Sequence, residues 1–210
     1  MLALALPTPP DRALRVLCLG AHCDDIEIGC GATLMRLTQE RPVEVDCVTF
    51  CALSERAAES HAALSQMLQA AQALRLRCES LPDGYLPAHW AEAKRLMESL
   101  KALPAPDLVL THERDDLHQD HRVVNELTWN TFRDHLILEY EVPKFDGGLG
   151  QPQVYAPIPR AVAERKAQLL VEHHASQRSK HWFGADTFLA LMRLRGLECR
   201  APEGYAEAFH

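Results

Sequence analysis

The run Arg15-Val-Leu-Cys-Leu-Gly-Ala21 is apolar on both of its faces and leads directly into His22-Cys-Asp-Asp25. A strand of that kind has to be covered on both sides, as in the middle of a parallel sheet with helices above and below. The polar cluster that ends it suits no hydrophobic core. Far along the chain a second apolar run, Asp107 to Thr111, is followed by another such cluster, His118-Gln-Asp-His121. The two clusters constrain the fold as well as the chemistry, because ligands in α/β sheets bind at the carboxyl ends of strands.

Between them the pattern alternates. Helical spacing runs from about Gly31 to Gln39 and stops before Pro42, and Val43 to Phe50 reads as a strand. Ser54 is placed to N-cap a long helix carrying Leu64, Met67, Leu68, Ala71 and Leu74 on one stripe. Arg75 to Ser80 reads as a short strand, Pro82-Asp-Gly84 as a turn and Trp90 to Ala102 as a helix. A helix from His118 to His135 and a strand from Leu136 to Val142 follow, and the last helices cover Ala161 to His174 and Ala185 to Arg195. Pro143 to Pro159, rich in proline and glycine, reads as a long loop able to cover a site. The expectation is a single-domain, three-layer, Rossmann-like α/β sandwich with a mainly parallel sheet over residues 13–210. Residues 1–12, opening Met1-Leu-Ala-Leu-Ala-Leu6 before Pro7, Pro9 and Pro10, read as a mobile arm. That run is too short to span a membrane and lacks a basic leader.

A net charge of −7 argues against nucleic acid as partner, since phosphate contact needs a basic surface. The seven cysteines show no Cys-x-x-Cys spacing, and Cys18 and Cys47 fall in apolar strands. A reduced, cytoplasmic protein is expected.

The two clusters supply two histidines and a carboxylate for one metal, with a further titratable group on each side. Adjacent Asp24 and Asp25 point in different directions, so one can ligate an ion while the other holds its water. His118 and His121, three apart at a helix start, share one face. Two His and one carboxylate suit catalytic Zn2+, and Fe2+ accepts the same set. Taken alone, the aspartates also suit helix caps and His-x-x-His suits a solvated surface. Cys23 reads as core-facing, and His112, Asp115 and Asp116 as solvated groups or outer supports of the ligands.

At this point Gly20-Ala-His-Cys-Asp-Asp-Ile-Glu-Ile-Gly-Cys-Gly-Ala-Thr-Leu34 resembles the signature of the LmbE-like, or PIG-L, zinc-dependent N-deacetylases, Ala-His-Pro-Asp-Asp-x-Glu-x-Gly-x-Gly-Gly-Thr-Leu. His118-Gln-Asp-His121 matches that family's His-x-Asp-His. Arg56 with Glu59, and Lys166 followed by His174-Ala-Ser-Gln177, are weaker matches. Cys23 stands in place of a proline and Ala32 in place of a glycine. The resemblance implies His22, Asp25 and His121 as zinc ligands, Asp24 as general base, and a protonated His118 as acid or electrophile oriented by Asp120. It also implies Arg56 and His174 as substrate-binding residues, an N-acetylated amino sugar or glycoconjugate as substrate, and self-association, which is common among relatives. Tyr140 and Phe145, with Lys144 and Asp146, form a candidate sugar face or a structural turn.

Two other readings start from the same residues. A Rossmann-like nucleotide-binding transferase needs an uninterrupted glycine turn after the first strand, where His22 to Ile28 intrude. A metal-dependent phosphoesterase needs further ligands, for which His112, Asp115 and Asp116 are the spare candidates.

Overall fold

The computed structural model describes Pro9 and residues 11–210, so most of the expected arm lies outside the described residues. Strands β1 (Leu14–His22), β2 (Val43–Cys51), β3 (Ala73–Cys78), β4 (Leu108–His112) and β5 (Leu136–Tyr140) alternate with helices α1 (Asp25–Glu40), α2 (Ser54–Met67), α3 (Trp90–Ser99) and α4 (Gln119–Thr131). The chain ends with β6 (Val154–Ile158), α5 (Arg160–His173), α6 (Ala185–Glu198) and β7 (Tyr205–Phe209). The sheet order is β3-β2-β1-β4-β5-β7-β6. The first five strands are mutually parallel, and β7 runs antiparallel to both β5 and β6. This is the mainly parallel α/β sandwich expected.

Strand alternation explains the layers. Leu14, Val16 and Cys18 of β1 pack with α1, α2, α5 and α6, whereas Leu17, Leu19 and Ala21 pack with α3 and α4. β1 lies at the centre, with β2 on one side and β4 on the other. The strand order reverses there, and the crevice beyond the carboxyl ends of β1 and β4 is the ligand position of such sheets.

Several boundaries differ from the sequence pattern. Helix α1 begins at Asp25, six residues before the expected start at Gly31. Its glycines serve packing, not a turn: a Cβ on Gly29 would stand 2.1 Å from the Tyr140 ring. Ser54 is the first residue of α2 and not its cap, and the helix stops at Met67, leaving Ala71 and Leu74 outside it. Helix α4 starts one residue after His118, which caps it, and ends at Thr131. The long loop expected to Pro159 ends early, because Val154–Ile158 is β6. Pro157 is tolerated there because β6 is an edge strand. Strand β7, unseen in the sequence, follows the turn at Gly204, whose φ is +79°.

A buried ion pair enters the ladder of α1. Lys166 Nζ donates to the Ile28 carbonyl at 2.5 Å and to Glu207 Oε1 at 2.6 Å. Glu207 in turn accepts the backbone N–H groups of Ala32 and Thr33 at 3.0 and 2.6 Å. The pair therefore joins α1 to α5 and β7. Removing one partner of such a pair leaves a buried charge uncompensated. Lys166→Met is expected to destabilise the fold by about 3–5 kcal/mol; urea unfolding checks this, and a loss under 1 kcal/mol contradicts it.

Candidate metal centre

His22 ends β1, Asp25 opens α1, and His121 lies in the first turn of α4. Their donor atoms converge. His22 Nδ1 is 3.2 Å from His121 Nε2 and 3.4 Å from Asp25 Oδ2, and His121 Nε2 is 3.5 Å from that oxygen. A tetrahedral ion with bonds of about 2.1 Å separates its ligands by about 3.4 Å. These three atoms fit one face of that tetrahedron, and all three residues are buried.

Each of the two histidines is held by a carboxylate behind it. Asp116 Oδ2 holds His121 Nδ1 at 2.8 Å and itself accepts from Lys144 Nζ at 2.6 Å. Asp120 Oδ2 lies 3.1 Å from His22 Nε2 and accepts the Gly84 N–H at 2.6 Å, while its other oxygen accepts Leu86 N–H at 3.0 Å. Asp83 Oδ1 also reaches His22 Nε2, at 3.2 Å. Carboxylate–histidine pairs of this kind fix the ring and raise its basicity as a ligand. Burial opposes a charge on His22, yet Asp120, Asp25 and Asp83 push its pKa up to about 12. Burial and the neighbouring His112 hold His121 down to about 4. The pocket is electrostatically built for a cation at the point the three atoms share.

Asp24 sits beside this point with φ +130°, a backbone region that non-glycine residues rarely adopt. Its Oδ1 accepts from Arg56 Nη2 at 3.1 Å, and the same nitrogen holds the Cys23 carbonyl at 3.0 Å. Burial and the adjacent Asp25 raise the Asp24 pKa to about 7, against the pull of Arg56. A carboxyl titrating near neutrality suits proton transfer. His118 accepts the Asp120 N–H at its Nδ1, 3.2 Å away, as the cap of α4. That bond requires Nδ1 to be unprotonated, so Nε2 carries the hydrogen and the ring is neutral. Burial, His121 and His22 all lower its pKa. A neutral ring of this tautomer donates from Nε2 and is not the protonated His118 that was expected. Nor does the Asp120 carboxylate orient it, since only the Asp120 backbone touches His118 while the side chain supports His22.

Other expectations fare differently. His174 is fully buried against Phe183, 3.4 Å from Glu27, and does not reach the cleft. Substrate cannot touch it without opening the core. Its neighbour Ser176 gives its N–H and hydroxyl to Glu59 at 2.8 and 2.5 Å, so the two weaker motifs meet as a structural clasp. His112 and Asp116 are buried, not solvated, and Asp115 alone of that group is exposed. His112 accepts the Ala21 N–H at 2.9 Å and stacks on His121 at 3.8 Å. Tyr140 belongs to the core, donating to the Leu19 carbonyl at 2.7 Å, and is no sugar face. Cys23 is buried as expected.

The cleft over the three donor atoms is lined by Asp24, Arg56, Asp83, His118, Lys144 and Trp182, among others. Asp83, Lys180 and Trp182 of this lining were missed in the sequence. Pro82-Asp-Gly84 read only as a turn, and Lys180 to Trp182 carry no motif.

A model of the PIG-L family, GlcNAc-PI de-N-acetylase, matches residues 17–132. The chain belongs to that family. No curated protein sequence matches it. Among solved structures, the A40926 pseudoaglycone deacetylase Dbv21 is 22% identical, with TM-score 0.72 over 94% of this chain and 96% of that one. The N,N'-diacetylchitobiose deacetylase of Pyrococcus horikoshii, solved with an inhibitor, is 18% identical, with TM-score 0.67 over 94% and 83%. GalB, the 4-carboxy-2-hydroxymuconate hydratase of Pseudomonas putida KT2440, is 14% identical, with TM-score 0.73 over 94% and 95%. At these identities the likeness establishes the PIG-L fold and not a shared reaction.

The strain at Asp24 is testable apart from chemistry. Asp24→Gly and Asp24→Ala both delete the carboxylate, but only glycine accepts φ +130° freely. The glycine variant is expected to be more stable than the alanine variant by about 1–3 kcal/mol in urea unfolding; equal stabilities contradict a strained backbone.

Proposed function

We propose that this PIG-L family chain is a divalent-metal hydrolase, preferring zinc, that removes the acetyl group from an N-acetylated amino sugar or glycoconjugate. The observation that carries the reading is the set of three mutual distances, 3.2, 3.4 and 3.5 Å, among His22 Nδ1, Asp25 Oδ2 and His121 Nε2. Family membership over residues 17–132 supports the reaction class. When bound, the ion supplies Lewis-acid polarisation of an acyl oxygen and makes water acidic near neutral pH.

The remaining steps fall to the side chains. Asp24 takes the proton of the attacking water, its carboxyl held at the cleft by Arg56. His118 presents Nε2–H to the acyl oxygen as negative charge builds there, because its Nδ1 is committed to the α4 cap. Asp24 then returns the proton to the departing amine. Arg56, expected as a substrate-binding residue, lines the cleft and orients Asp24 and, at 3.3 Å, Asp83. Asp116 and Asp120 hold the two histidines and touch no substrate.

Three variants separate these roles. Asp25→Ala is expected to lose the metal, read by elemental analysis, and activity with it. Asp24→Asn is expected to keep the metal and slow acetate release about 10²–10⁴-fold. His118→Ala is expected to keep the metal and slow the chemical step about 10²–10³-fold, the cost of losing one oxyanion donor. Wild-type turnover in Asp24→Asn removes the base assignment, and a metal-free His118→Ala exchanges the two histidines' roles.

The decisive experiment measures bound metal and then screens N-acetyl sugars for released acetate before and after chelation. Zinc should restore what the chelator abolishes. Stoichiometric nucleotide binding without metal would instead favour the transferase reading. Two ions per chain would favour a phosphoesterase.

A further inference from the structure

The cleft above the three donor atoms encloses about 140 Å³. Sites that engulf a drug-sized ligand begin at about 300 Å³. An acylamino end fits inside and the rest of a sugar substrate has to lie on the mouth. Part of that mouth is built by two loops distant in sequence. On one, Lys144 is anchored to Asp116 at 2.6 Å and to the Val142 carbonyl at 3.0 Å. The next residue, Phe145, turns outward and is 72% exposed. Its ring lies 5.1 Å from His181 and stands edge-on to Trp182, at 6.4 Å and 84°. Trp182 lines the cleft and rests on the buried Phe183 ring at 5.4 Å. Lys180 Nζ stands 5.9 Å from the Trp182 ring, and among the described residues no carboxylate pairs with it.

We propose that Phe145, His181 and Trp182 form a subsite for a second pyranose ring, joined to the residue whose acetamido group enters the cleft. The proposal rests on the deacetylase reading and adds what the substrate must carry. A pyranose has an apolar C–H face and a hydroxyl rim. Aromatic faces, negative at their centres, attract the C–H side, while the imidazole of His181 and the ammonium of Lys180 meet the hydroxyl side. A long acyl chain is the poorer occupant, because the Lys180 ammonium stands beside the Trp182 ring. Binding energy gained on this ledge, away from the reacting amide, serves to place the acetamido group.

The test compares kcat/KM for acetate release from N,N′-diacetylchitobiose and N-acetylglucosamine, using the metal-loaded full chain, Phe145→Ala and Trp182→Ala. The wild type is expected to prefer the disaccharide. Each variant is expected to lower the disaccharide-to-monosaccharide ratio up to about tenfold, through KM, as aromatic contacts of about 0.5–1.5 kcal/mol imply. A ratio that neither variant moves overturns the subsite, since a merely structural role lowers both values together. If neither sugar releases acetate, the deacetylase reading is what fails. The ledge is then judged by titrating N,N′-diacetylchitobiose against tryptophan fluorescence. Saturable quenching in the wild type that weakens in exposed-residue variant Phe145→Ala supports it, and absent or unaltered binding refutes it.

Discussion

Asp24, Asp25, Asp116 and Asp120 are all buried around one cleft, and buried carboxylates persist only where positive charge or hydrogen bonds answer them. Arg56 answers Asp24, Lys144 answers Asp116, and the backbone N–H groups of Gly84 and Leu86 answer Asp120. Asp25 has only histidines and the His22 N–H, at 2.7 Å. Burial opposes its charge, yet His121 and His112 hold its pKa well below the usual carboxylate range. His22, pressed between Asp25, Asp83 and Asp120, correspondingly favours its protonated form. The unsatisfied demand of the whole cleft is thus for positive charge at the junction of β1, α1 and α4. Under the proposed function a divalent ion bound there would answer the same demand that the His22 proton answers in its absence.

The geometry of that junction depends on how tightly α1 is tied down. Gly29 lets the helix lie directly on the Tyr140 ring, and Tyr140 in turn bonds the Leu19 carbonyl of β1. Lys166 holds the Ile28 carbonyl, and Glu207 holds the N–H groups of Ala32 and Thr33. These contacts tie down the helix that follows the His22-to-Asp25 turn, and Asp24 in that turn has φ +130°. Strain at the proposed base and rigidity at the proposed ligands come from the same packing.

The His22-to-Asp25 and His118-to-His121 clusters were legible because ligand-type residues stood at the ends of two apolar strands. The continuous apolar runs of β1 and β4 likewise announced the sheet. What stayed hidden was set by contacts distant in sequence. The sequence pattern places the start of α1 at Gly31, since nothing local shows that Gly29 packs on the Tyr140 ring. Pro157 masked β6, since the sequence does not say which strand lies at an edge. His112 and Asp116 looked solvated because local polarity does not reveal burial behind His121. The roles expected of His174 and Asp120 come from the family resemblance; here His174 is buried beside Glu27 and the Asp120 carboxylate contacts His22.

The fold alone does not choose the reaction. A hydratase and deacetylases share this architecture at comparable TM-scores. The choice has to come from side chains at the carboxyl ends of the strands, where a common scaffold carries different sites. In this chain the relevant features lie on opposite sides of the three donor atoms. Asp24, with its pKa near 7, can accept a proton, and His118 is locked by the α4 cap into a form that can only donate from Nε2. Amide hydrolysis needs a base for water on one side and a hydrogen-bond donor for the acyl oxygen on the other. In the proposed reaction the helix cap would supply the second requirement at no cost in reorganisation, because the bond that starts α4 occupies Nδ1 and leaves Nε2 of His118 for the acyl oxygen.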